Sequence, residues 1–404
     1  MSLPRRWYPA CVLVSPSEPV RAFHKGAFRL SLPMRIVLDF RPALRQSTGV
    51  GTYAHNLTLA LAQSFPEDSY TVFTASWRDR VNHSLFPDGV AVADWKIPVQ
   101  ALDWAWHRWQ QPSIERFVGT VDIAHSPSPM LLPARRARTI VTVHDCYFMR
   151  HPEDVFGPIR RDYVPLARSA AKAADAVAVV SETTAAEAED LLGISRDKIY
   201  VTPLGVRSEF FHPHAASHTL LARHGIDRPF LLFVGRREKR KDLGTLFKAF
   251  DELSAESDGL QLLLVGPDAP GWNKTWARVS ARVRHLTRIA PYQSPETLPA
   301  LYSAAAAVLM PSRWEGFGLT GLEAMAAGTP VIASEVGSLP EILGSAALFV
   351  PPGDSAAMAQ QCRRVLHDTA LATRLSNEGR ERAASFRWSH TAKRTHELYH
   401  RLGG

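Results

Sequence analysis

The possible folds are limited most by a regular alternation of short β-branched runs with longer alanine-rich stretches. In the first half, the candidate strands are Arg35–Phe40, Tyr70–Thr74, Ile123–His125, Thr139–Val143, Ala176–Val180 and Lys198–Val201. The helix-like segments between them include Tyr53–Ser64 and Ile159–Ala174. Strands that alternate with helices in this way form a parallel sheet covered by helices on both faces.

The same pattern restarts after residues 211–228, which lack a clear period. The later candidate strands are Phe230–Val234, Gln261–Val265, Ala307–Met310, Pro330–Ala333 and Ala347–Val350. The candidate helices are Asp242–Ser254, Ser294–Ala305, Leu319–Ala327 and a helical tail from Ser355 that breaks near Phe386. The sequence therefore predicts an α/β fold of two Rossmann-like doubly wound domains that face each other across a cleft at the carboxyl ends of both sheets.

This pattern also predicts the domain limits. Residues 1–33 form an unpatterned extension, 34–210 the first domain, 211–228 a linker, 229–385 the second domain and 386–404 a C-terminal helix. Folding is expected to begin at Met34, where the apolar run MRIVLDF opens. Our hypothesis is that the preceding residues are an upstream extension, for which a misplaced start codon is one explanation. N-terminal sequencing of the native protein tests this hypothesis.

Composition narrows the class of protein. A chain of 404 residues that is 46% hydrophobic and 21% charged is typical of a two-domain globular enzyme. The net charge of +8 favours anionic partners, but no basic run is interleaved with aromatics, so nucleic acid is not expected. A membrane surface or a phosphate-bearing ligand stays open. Three cysteines without a spaced pair argue against a zinc site and predict a reducing cytoplasm.

The most informative motif is SRWEGFGLTGLEAMAAGTP at Ser312–Pro330. Glu315 falls in a turn broken by glycines, and Glu323 falls eight positions later inside a predicted helix. A glycine-rich turn that feeds a helix N-terminus can hold a phosphate. A carboxylate further along can accept a sugar hydroxyl, so the segment resembles half of a nucleotide-sugar site. The alternative is a surface glutamate followed by a helix-capping one.

Two further motifs follow predicted strands of the first domain. Gly49 and Gly51 lie in the turn after the first strand, where a bare backbone can approach a diphosphate. The alternative is an ordinary turn between a strand and a helix. His144 ends an apolar strand and could contact a sugar hydroxyl or transfer a proton. The alternative is a structural pair between His144 and Asp145.

A basic segment, GRREKRK, follows the first strand of the second domain. Arg236 and Lys241 are expected to face a diphosphate leaving group, because cations offset its growing negative charge. Arg237 and Lys239 are expected to be solvated. The alternative is that the whole run is a solvated face.

Together these motifs resemble the retaining glycosyltransferases of family four, which have the GT-B architecture. The matching segments are TGVGTY at Thr48–Tyr53, VHD at Val143–Asp145, TPLGV at Thr202–Val206, GRREKRKDL at Gly235–Leu243 and the E-x7-E block within Ser312–Ser334. The resemblance extends roughly from Met34 to the C-terminus, and the E-x7-E block is its most specific part.

The resemblance implies a role for each matched residue. Glu323 would bind the nucleotide ribose, Glu315 would lie beside the donor sugar, and His144 would contact the transferred sugar. Arg236 and Lys241 would stabilise the departing nucleoside diphosphate. The donor diphosphate would also face backbone groups of Gly49, Gly51, Phe317, Gly318 and Leu319. The C-terminal helix, Phe386–Leu402, would cross back to the first domain.

The reaction implied is transfer of a hexose with retention at the anomeric carbon. No Asp-x-Asp pair is present, so no metal is expected, and activity should survive a chelator. No cofactor is expected, because the nucleotide sugar is a substrate. Retention could arise by same-face attack or through a covalent adduct on a carboxylate. The same-face route is favoured because no acidic nucleophile stands out in the first domain.

The donor and the acceptor are less defined. The chain resembles mannosyltransferases of bacterial polysaccharide assembly, which implies GDP-mannose as the first donor candidate and a UDP-sugar as the second. The acceptor is expected to be a saccharide or a lipid-linked saccharide. The protein is expected in the cytoplasm, with the inner membrane face as a candidate peripheral contact.

A tryptophan-rich segment, Leu102–Gln110, belongs to the acceptor question. Trp104, Trp106 and Trp109 could stack on a sugar, sit at a lipid interface or pack in the core. Three other classes of protein stay open: a sugar-nucleotide epimerase, a phosphorylase that carries pyridoxal phosphate and a non-catalytic binding module. The E-x7-E block argues against the epimerase.

Overall fold

The computed structural model describes residues 33–44, 49–154, 163–256, 259–294 and 296–403. The predicted extension, apart from Pro33, lies outside the described residues. So do Thr48 of the first glycine motif and residues 159–162 of a predicted helix.

The first domain is built on a parallel sheet of seven strands, ordered β3-β2-β1-β4-β5-β6-β7. The strands are β1 (Arg35–Asp39), β2 (Ser69–Ala75), β3 (Val90–Trp95), β4 (Ile123–Ser126), β5 (Arg138–Val143), β6 (Ala176–Val179) and β7 (Ile199–Val201). The first strand, β1, lies in the middle of the sheet, because Ile36 pairs with Tyr70 on one side and with Ile123 on the other. The strand order therefore reverses between β1 and β4.

The second domain repeats this plan with six parallel strands, ordered β10-β9-β8-β11-β12-β13. The strands are β8 (Phe230–Val234), β9 (Gln261–Val265), β10 (Thr287–Ala290), β11 (Ala307–Met310), β12 (Val331–Ser334) and β13 (Ala347–Val350). Here the order reverses between β8 and β11. Ligands of such sheets bind outside the carboxyl ends of the strands at this reversal. The predicted fold class is confirmed.

Helices cover the faces of both sheets. In the first part of the chain they are α1 (Arg41–Leu44), α2 (Gly49–Ser64), α3 (Val99–Trp109), α4 (Glu115–Val118), α5 (Tyr147–Arg150), α6 (Tyr163–Ala173), α7 (Glu182–Glu187) and α8 (His218–Arg223). The later helices are α9 (Leu243–Glu256), α10 (Trp272–Ala277), α11 (Ala281–Leu286), α12 (Leu298–Ala304), α13 (Leu319–Ala327), α14 (Leu339–Leu343), α15 (Ser355–His367), α16 (Thr369–Ala384) and α17 (Trp388–Gly403). None of the helices in the described ranges is long and apolar enough to cross a membrane.

The sequence did not predict the edge strands β3 and β10. An interior parallel strand is buried on both faces and therefore appears as a continuous apolar run. β3 is only partly covered, and most of its residues are half-buried or exposed. Its sequence, VAVADW, ends in polar and exposed positions, so the apolar signal is weak.

The last helix, α17, packs against α2 of the first domain. The Tyr399 hydroxyl lies 2.7 Å from Nδ1 of His125, which is in β4. The Thr391 hydroxyl donates to the carbonyl of Pro203 at 2.7 Å. Gly205 is needed at this crossing, because an added Cβ would overlap the backbone of Trp388. α16, by contrast, stays with the second domain and packs on α13.

Candidate functional site

Glu315 lies in the turn between β11 and α13 and is only 6% exposed. Its Oε1 accepts from Lys241 Nζ at 2.5 Å and from Ser312 Oγ at 2.6 Å. Its Oε2 accepts from Arg240 Nη1 at 3.0 Å. Burial alone would raise the pKa of Glu315, but the charges of Lys241 and Arg240 outweigh it and lower the pKa to about 2. The Glu315 carboxylate is therefore ionised at neutral pH, and both of its oxygens accept hydrogen bonds.

Lys241 and Arg240 reach Glu315 from the loop after β8, on the other side of the strand reversal. The backbone N–H of Arg313 donates to the Arg240 carbonyl at 2.8 Å, which joins this loop to the turn after β11. Asp242 ends the basic turn with a positive φ of 43°. The reversal thus gathers two cations and one carboxylate at the carboxyl edge of the second sheet.

The other residues of the basic segment differ in exposure, and the prediction for Arg237 is wrong. Arg237 is not solvated: it is 6% exposed, pairs with Asp268 at 2.6 Å and lies 5.2 Å from the Trp272 ring. Lys239 is exposed, and it pairs with Asp154 at 3.2 Å. Arg236 is exposed, and its guanidinium pairs with no carboxylate among the residues that the structure describes. Its predicted role on the diphosphate stays a prediction.

Gly316 brings the Glu315 turn against the first domain. Its carbonyl accepts from Ser181 Oγ at 2.9 Å and from Thr184 Oγ1 at 3.1 Å, both at the start of α7. A Cβ at this position would overlap the carbonyl oxygen of His144. A glycine is thus required for the two domains to approach this closely. Since Glu315 directly precedes Gly316, this contact brings Glu315 close to the His144 backbone.

His144 follows β5 and is half-buried at this junction. Its Nε2 lies 2.9 Å from the Pro127 carbonyl, which requires a proton on Nε2 and leaves Nδ1 as an acceptor in the neutral ring. Burial lowers the pKa of His144, opposed by the Pro127 carbonyl and by Asp145. The ring of Tyr53, from α2, meets the His144 ring edge-on at 4.8 Å. The neutral His144 ring can form a hydrogen bond with a hydroxyl group, but it carries no positive charge with which to stabilise an anion.

Glu323 lies on α13, apart from the Glu315 cluster. Its Oε2 accepts from the Tyr302 hydroxyl at 3.1 Å, and Arg207 is a charged neighbour. Burial raises the pKa of Glu323 to about 7, although Arg207 and Tyr302 oppose the shift. Tyr292 lies near the same carboxyl and is 48% exposed. Glu323 therefore holds its proton to a higher pH than an exposed glutamate does, and an exposed aromatic ring lies beside it.

The remaining predicted residues provide backbone groups. Phe317 is buried, Gly318 precedes α13 with a φ of 93°, and Leu319 opens that helix. Gly49 and Gly51 lie in the first turn of α2. The first N–H groups of a helix have no acceptor within the helix, so both helix starts can receive an anion. The contact of these backbone groups with a diphosphate stays a prediction.

Sequence reasoning missed several residues that complete these clusters. Arg240 lies within the basic segment, one residue before Lys241, and the sequence alone did not distinguish it from its neighbours. Arg207 and Tyr302 gave no signal, because each reaches Glu323 only through the tertiary fold. Ser312 lies three residues before Glu315 in the same motif, but its hydroxyl contact was not predicted. Arg207 directly follows the TPLGV segment, which was the one hint that this loop turns towards the site.

A cavity of about 730 Å³ adjoins the Glu315 cluster. Arg240 lines it together with Tyr147 of the first domain and with Phe247 and Trp272 of the second. Asp154 also lines the cavity, and together with His151 and Glu153 it forms a group, within the described ranges, that could hold a metal ion. Asp154 is already bonded to the Tyr147 hydroxyl at 2.8 Å and to Lys239. The groups that donate to Glu315 are two cations, Lys241 and Arg240, and the Ser312 hydroxyl.

Two Rossmann-like domains, with such a cluster at the carboxyl edge of the second sheet, have the architecture of the GT-B class of glycosyltransferases. Comparison with known families agrees. Residues 47–210 match the model described as Glycosyltransferase Family 4, and residues 220–382 match the model described as Glycosyl transferases group 1. The chain belongs to the family 4-type glycosyltransferases, and the resemblance seen in its motifs is confirmed.

Individual relatives agree on the class and differ in substrate. The O-antigen chain mannosyltransferase B of Escherichia coli is 29% identical over 287 residues, or 69% of this chain and 74% of the relative. A D-inositol 3-phosphate glycosyltransferase of Nocardioides is 32% identical over 249 residues, which is 57% of this chain. That match spans about half of the relative's own length, 54%.

Among solved structures, sucrose-phosphate synthase from Thermosynechococcus elongatus has a TM-score of 0.73 and 24% identity. The match covers 91% of this chain and 99% of that one. At this level of identity the likeness shows the shared fold.

Proposed function

We propose that this glycosyltransferase moves a hexose from a nucleotide-diphosphate sugar to a saccharide or lipid-linked saccharide. The observation that carries the proposal is the Lys241–Glu315–Arg240 cluster, which the Gly316 contact presses against His144. A leaving diphosphate gains negative charge as the glycosidic bond breaks. Preorganised cations placed where that charge develops lower the barrier.

The two glutamates have different roles in this proposal, because their carboxyl groups have different surroundings. Glu323, beside Tyr302 and Tyr292, receives the ribose hydroxyls, with the base near the exposed ring. Glu315 keeps Lys241 and Arg240 in place and borders the sugar. Helix α13 links the two positions, so its N-terminal amides at Phe317, Gly318 and Leu319 face the diphosphate between them.

Mannose from GDP-mannose is the proposed donor sugar. The support is the resemblance to mannosyltransferases and the name of the Escherichia coli relative. A UDP-sugar is the alternative, and the donor panel described below separates the two. The proposed acceptor is a growing saccharide of polysaccharide assembly, which places the enzyme in the cytoplasm near the inner membrane face.

The proposed mechanism retains the anomeric configuration by same-face attack. The bond from the anomeric carbon to the leaving phosphate breaks, and the acceptor hydroxyl attacks from the same side. The departing phosphate oxygen takes the hydroxyl proton, so no enzyme base is needed. Lys241, Arg240 and the start of α13 balance the charge, so the proposal includes independence from metal ions and from cofactors.

The test is a panel of nucleotide sugars. A bound donor raises the unfolding temperature by mass action, and GDP-mannose is expected to give the largest shift. The best donor is then incubated with candidate saccharide acceptors, with and without EDTA, and the anomeric configuration of the product is read by NMR. Retained configuration and unchanged turnover in EDTA are expected. An inverted product, a trapped glycosyl adduct or turnover restored only by Mn²⁺ would each refute the corresponding part.

A further inference from the structure

Three of the motif segments meet at one buried side chain, Tyr53. Tyr53 ends the TGVGTY segment and lies in the second turn of α2. Its ring meets the ring of His144, from the VHD segment, edge-on at 4.8 Å between ring centres. Its hydroxyl lies 3.3 Å from Thr142 Oγ1 and has Thr202, the first residue of the TPLGV segment, as a second hydrogen-bond neighbour. Only 1% of Tyr53 is exposed, so the side chain is packed inside the first domain.

The His144 ring needs this neighbour to have a defined orientation. Its Nε2–H donates to the Pro127 carbonyl at 2.9 Å, and that bond selects the tautomer. A single hydrogen bond fixes one atom of a ring, whereas the plane of the ring needs a second contact. The Tyr53 ring, which stands at 81° to the imidazole, supplies that contact. Pro127 and Tyr53 together therefore set the direction of Nδ1, the nitrogen left to accept a hydrogen bond.

The hydroxyl end of Tyr53 is held by two neighbouring strands. Thr142 lies near the end of β5, two residues before His144, and Tyr53 contacts both of them. Thr142 Oγ1 lies 2.8 Å from Nε2 of His125, which is in β4. Thr142 and His125 have no exposed surface. Since α2 fixes the backbone of Tyr53 and the strands fix its hydroxyl, the ring between them has little freedom to move.

This chain of contacts continues into the last helix. Nδ1 of His125 lies 2.7 Å from the Tyr399 hydroxyl, and the ring of Trp388, at the start of α17, lies 6.2 Å from the Tyr53 ring. A neutral imidazole donates through one nitrogen and accepts through the other, so it can satisfy both Tyr399 and Thr142. Burial lowers the pKa of His125 to about 3 and raises the pKa of Tyr53 to about 12. These groups are neutral at physiological pH and act through their position.

We propose that Tyr53 is a positioning residue for His144, and that α17 holds Tyr53 in place through the hydrogen bonds that begin at Tyr399. The inference rests on the proposed function, in which His144 contacts the transferred sugar. Gly316 of the second domain meets the His144 backbone, so the imidazole is held where the two domains are in contact. A displacement of about 1 Å at such a point costs roughly a hundredfold in rate.

The experiment measures kcat for sugar transfer by the full-length protein, with GDP-mannose as the first donor. Tyr53→Phe and Tyr399→Phe each remove one hydroxyl, and each should lower kcat roughly tenfold, because one buried hydrogen bond is lost. Tyr53→Leu also removes the ring and should lower kcat roughly a hundredfold. The affinity for GDP, measured by calorimetry, should change much less, because Glu323 and Lys241 are left in place.

A double variant tests whether the two tyrosines act on His144 together. Tyr399→Phe added to Tyr53→Leu should cause no further loss of kcat, because the contact through which it acts is already absent. The matched control is Tyr70→Phe, which removes a hydroxyl that donates to the Phe65 carbonyl at 3.2 Å elsewhere in the same domain. It should keep the wild-type kcat. Additive losses in the double variant, or an equal loss in Tyr70→Phe, would overturn the inference.

The His144 ring is also observed directly, by ¹⁵N NMR of protein with labelled histidine. The signals missing from His144→Gln identify the ring, and the wild type should show only the Nε2–H tautomer. Tyr53→Leu should give a mixture of tautomers, whereas Tyr70→Phe should not. Unchanged ring signals in Tyr53→Leu would refute the positioning role, and this result needs no substrate. A wild-type protein that transfers no sugar would instead count against the proposed function.

Discussion

At the scale of single residues, the two glutamates of the E-x7-E block have opposite electrostatic surroundings. Glu315 is buried among cations, so its pKa is lowered to about 2, whereas Glu323 is buried beside a tyrosine hydroxyl and its pKa is raised to about 7. The sequence predicted that both carboxyls matter. It could not predict their ionisation, because Arg240 and Tyr302 reach them only through the fold.

The Glu323 carboxyl makes donor binding dependent on pH. The ionised carboxylate accepts stronger, charge-assisted hydrogen bonds from the ribose hydroxyls than the neutral acid does. With a pKa of about 7, roughly a tenth of the carboxyl is ionised at pH 6 and roughly nine-tenths at pH 8. We expect affinity for a nucleotide sugar to rise roughly tenfold between these pH values, as measured by calorimetry.

The control variants are Glu323→Gln, which should bind weakly at both pH values, and Glu381→Gln on exposed α16, which should keep the wild-type profile. The raised pKa of Glu323 also predicts how the stability of the folded protein changes with pH. The folded protein holds the Glu323 proton up to about pH 7, whereas the unfolded chain releases it near pH 4.5, so this group lowers stability as the pH rises through that window. A flat affinity profile in the wild type would contradict the ribose assignment.

At the scale of elements, the site is produced by two strand reversals and one glycine contact. The interior strands of both domains were predictable, because buried parallel strands appear as continuous apolar runs. The longer helices α2, α9 and α13 were predicted as well, whereas short helices such as α7, α10 and α14 were not. The edge strands β3 and β10 were not, because they are partly exposed. The close contact between Gly316 and the His144 carbonyl could not be predicted from the sequence either, because it joins residues from different domains.

Gly316→Ala should separate binding from transfer. The added methyl overlaps the His144 carbonyl and crowds Asp145, so the domains must move apart at the reaction centre. A displacement of about 1 Å costs roughly a hundredfold in rate. Affinity for the nucleotide should change much less, because Glu323 and Tyr302 both belong to the second domain.

Gly403→Ala near the end of α17 serves as the control, because only the Met34 sulfur lies within reach of its Cβ, at 3.7 Å. Turnover and binding are followed for both variants. Wild-type turnover in Gly316→Ala would show that the close approach of the domains is not needed for transfer.

At the scale of the whole molecule, the chain crosses between the domains twice, once after β7 and once before α17. The second crossing anchors the C-terminus on the first domain through Tyr399 and His125. Burial, with the neighbouring His144 adding to it, lowers the pKa of His125 to about 3, so this anchor is neutral and insensitive to physiological pH. The sequence showed the break near Phe386, and the family resemblance implied that the last helix returns to the first domain. The fold adds the individual contacts that this helix makes there.

The central claim is that Lys241 and its cluster stabilise the leaving diphosphate. The most direct measurement is donor turnover by Lys241→Ala, compared with Lys274→Ala on exposed α10. Removing one such preorganised donor typically costs a hundredfold to a thousandfold in rate. The account predicts a loss of about that size in Lys241→Ala, with the fold retained and the control unaffected. Turnover by Lys241→Ala at the wild-type rate would contradict it.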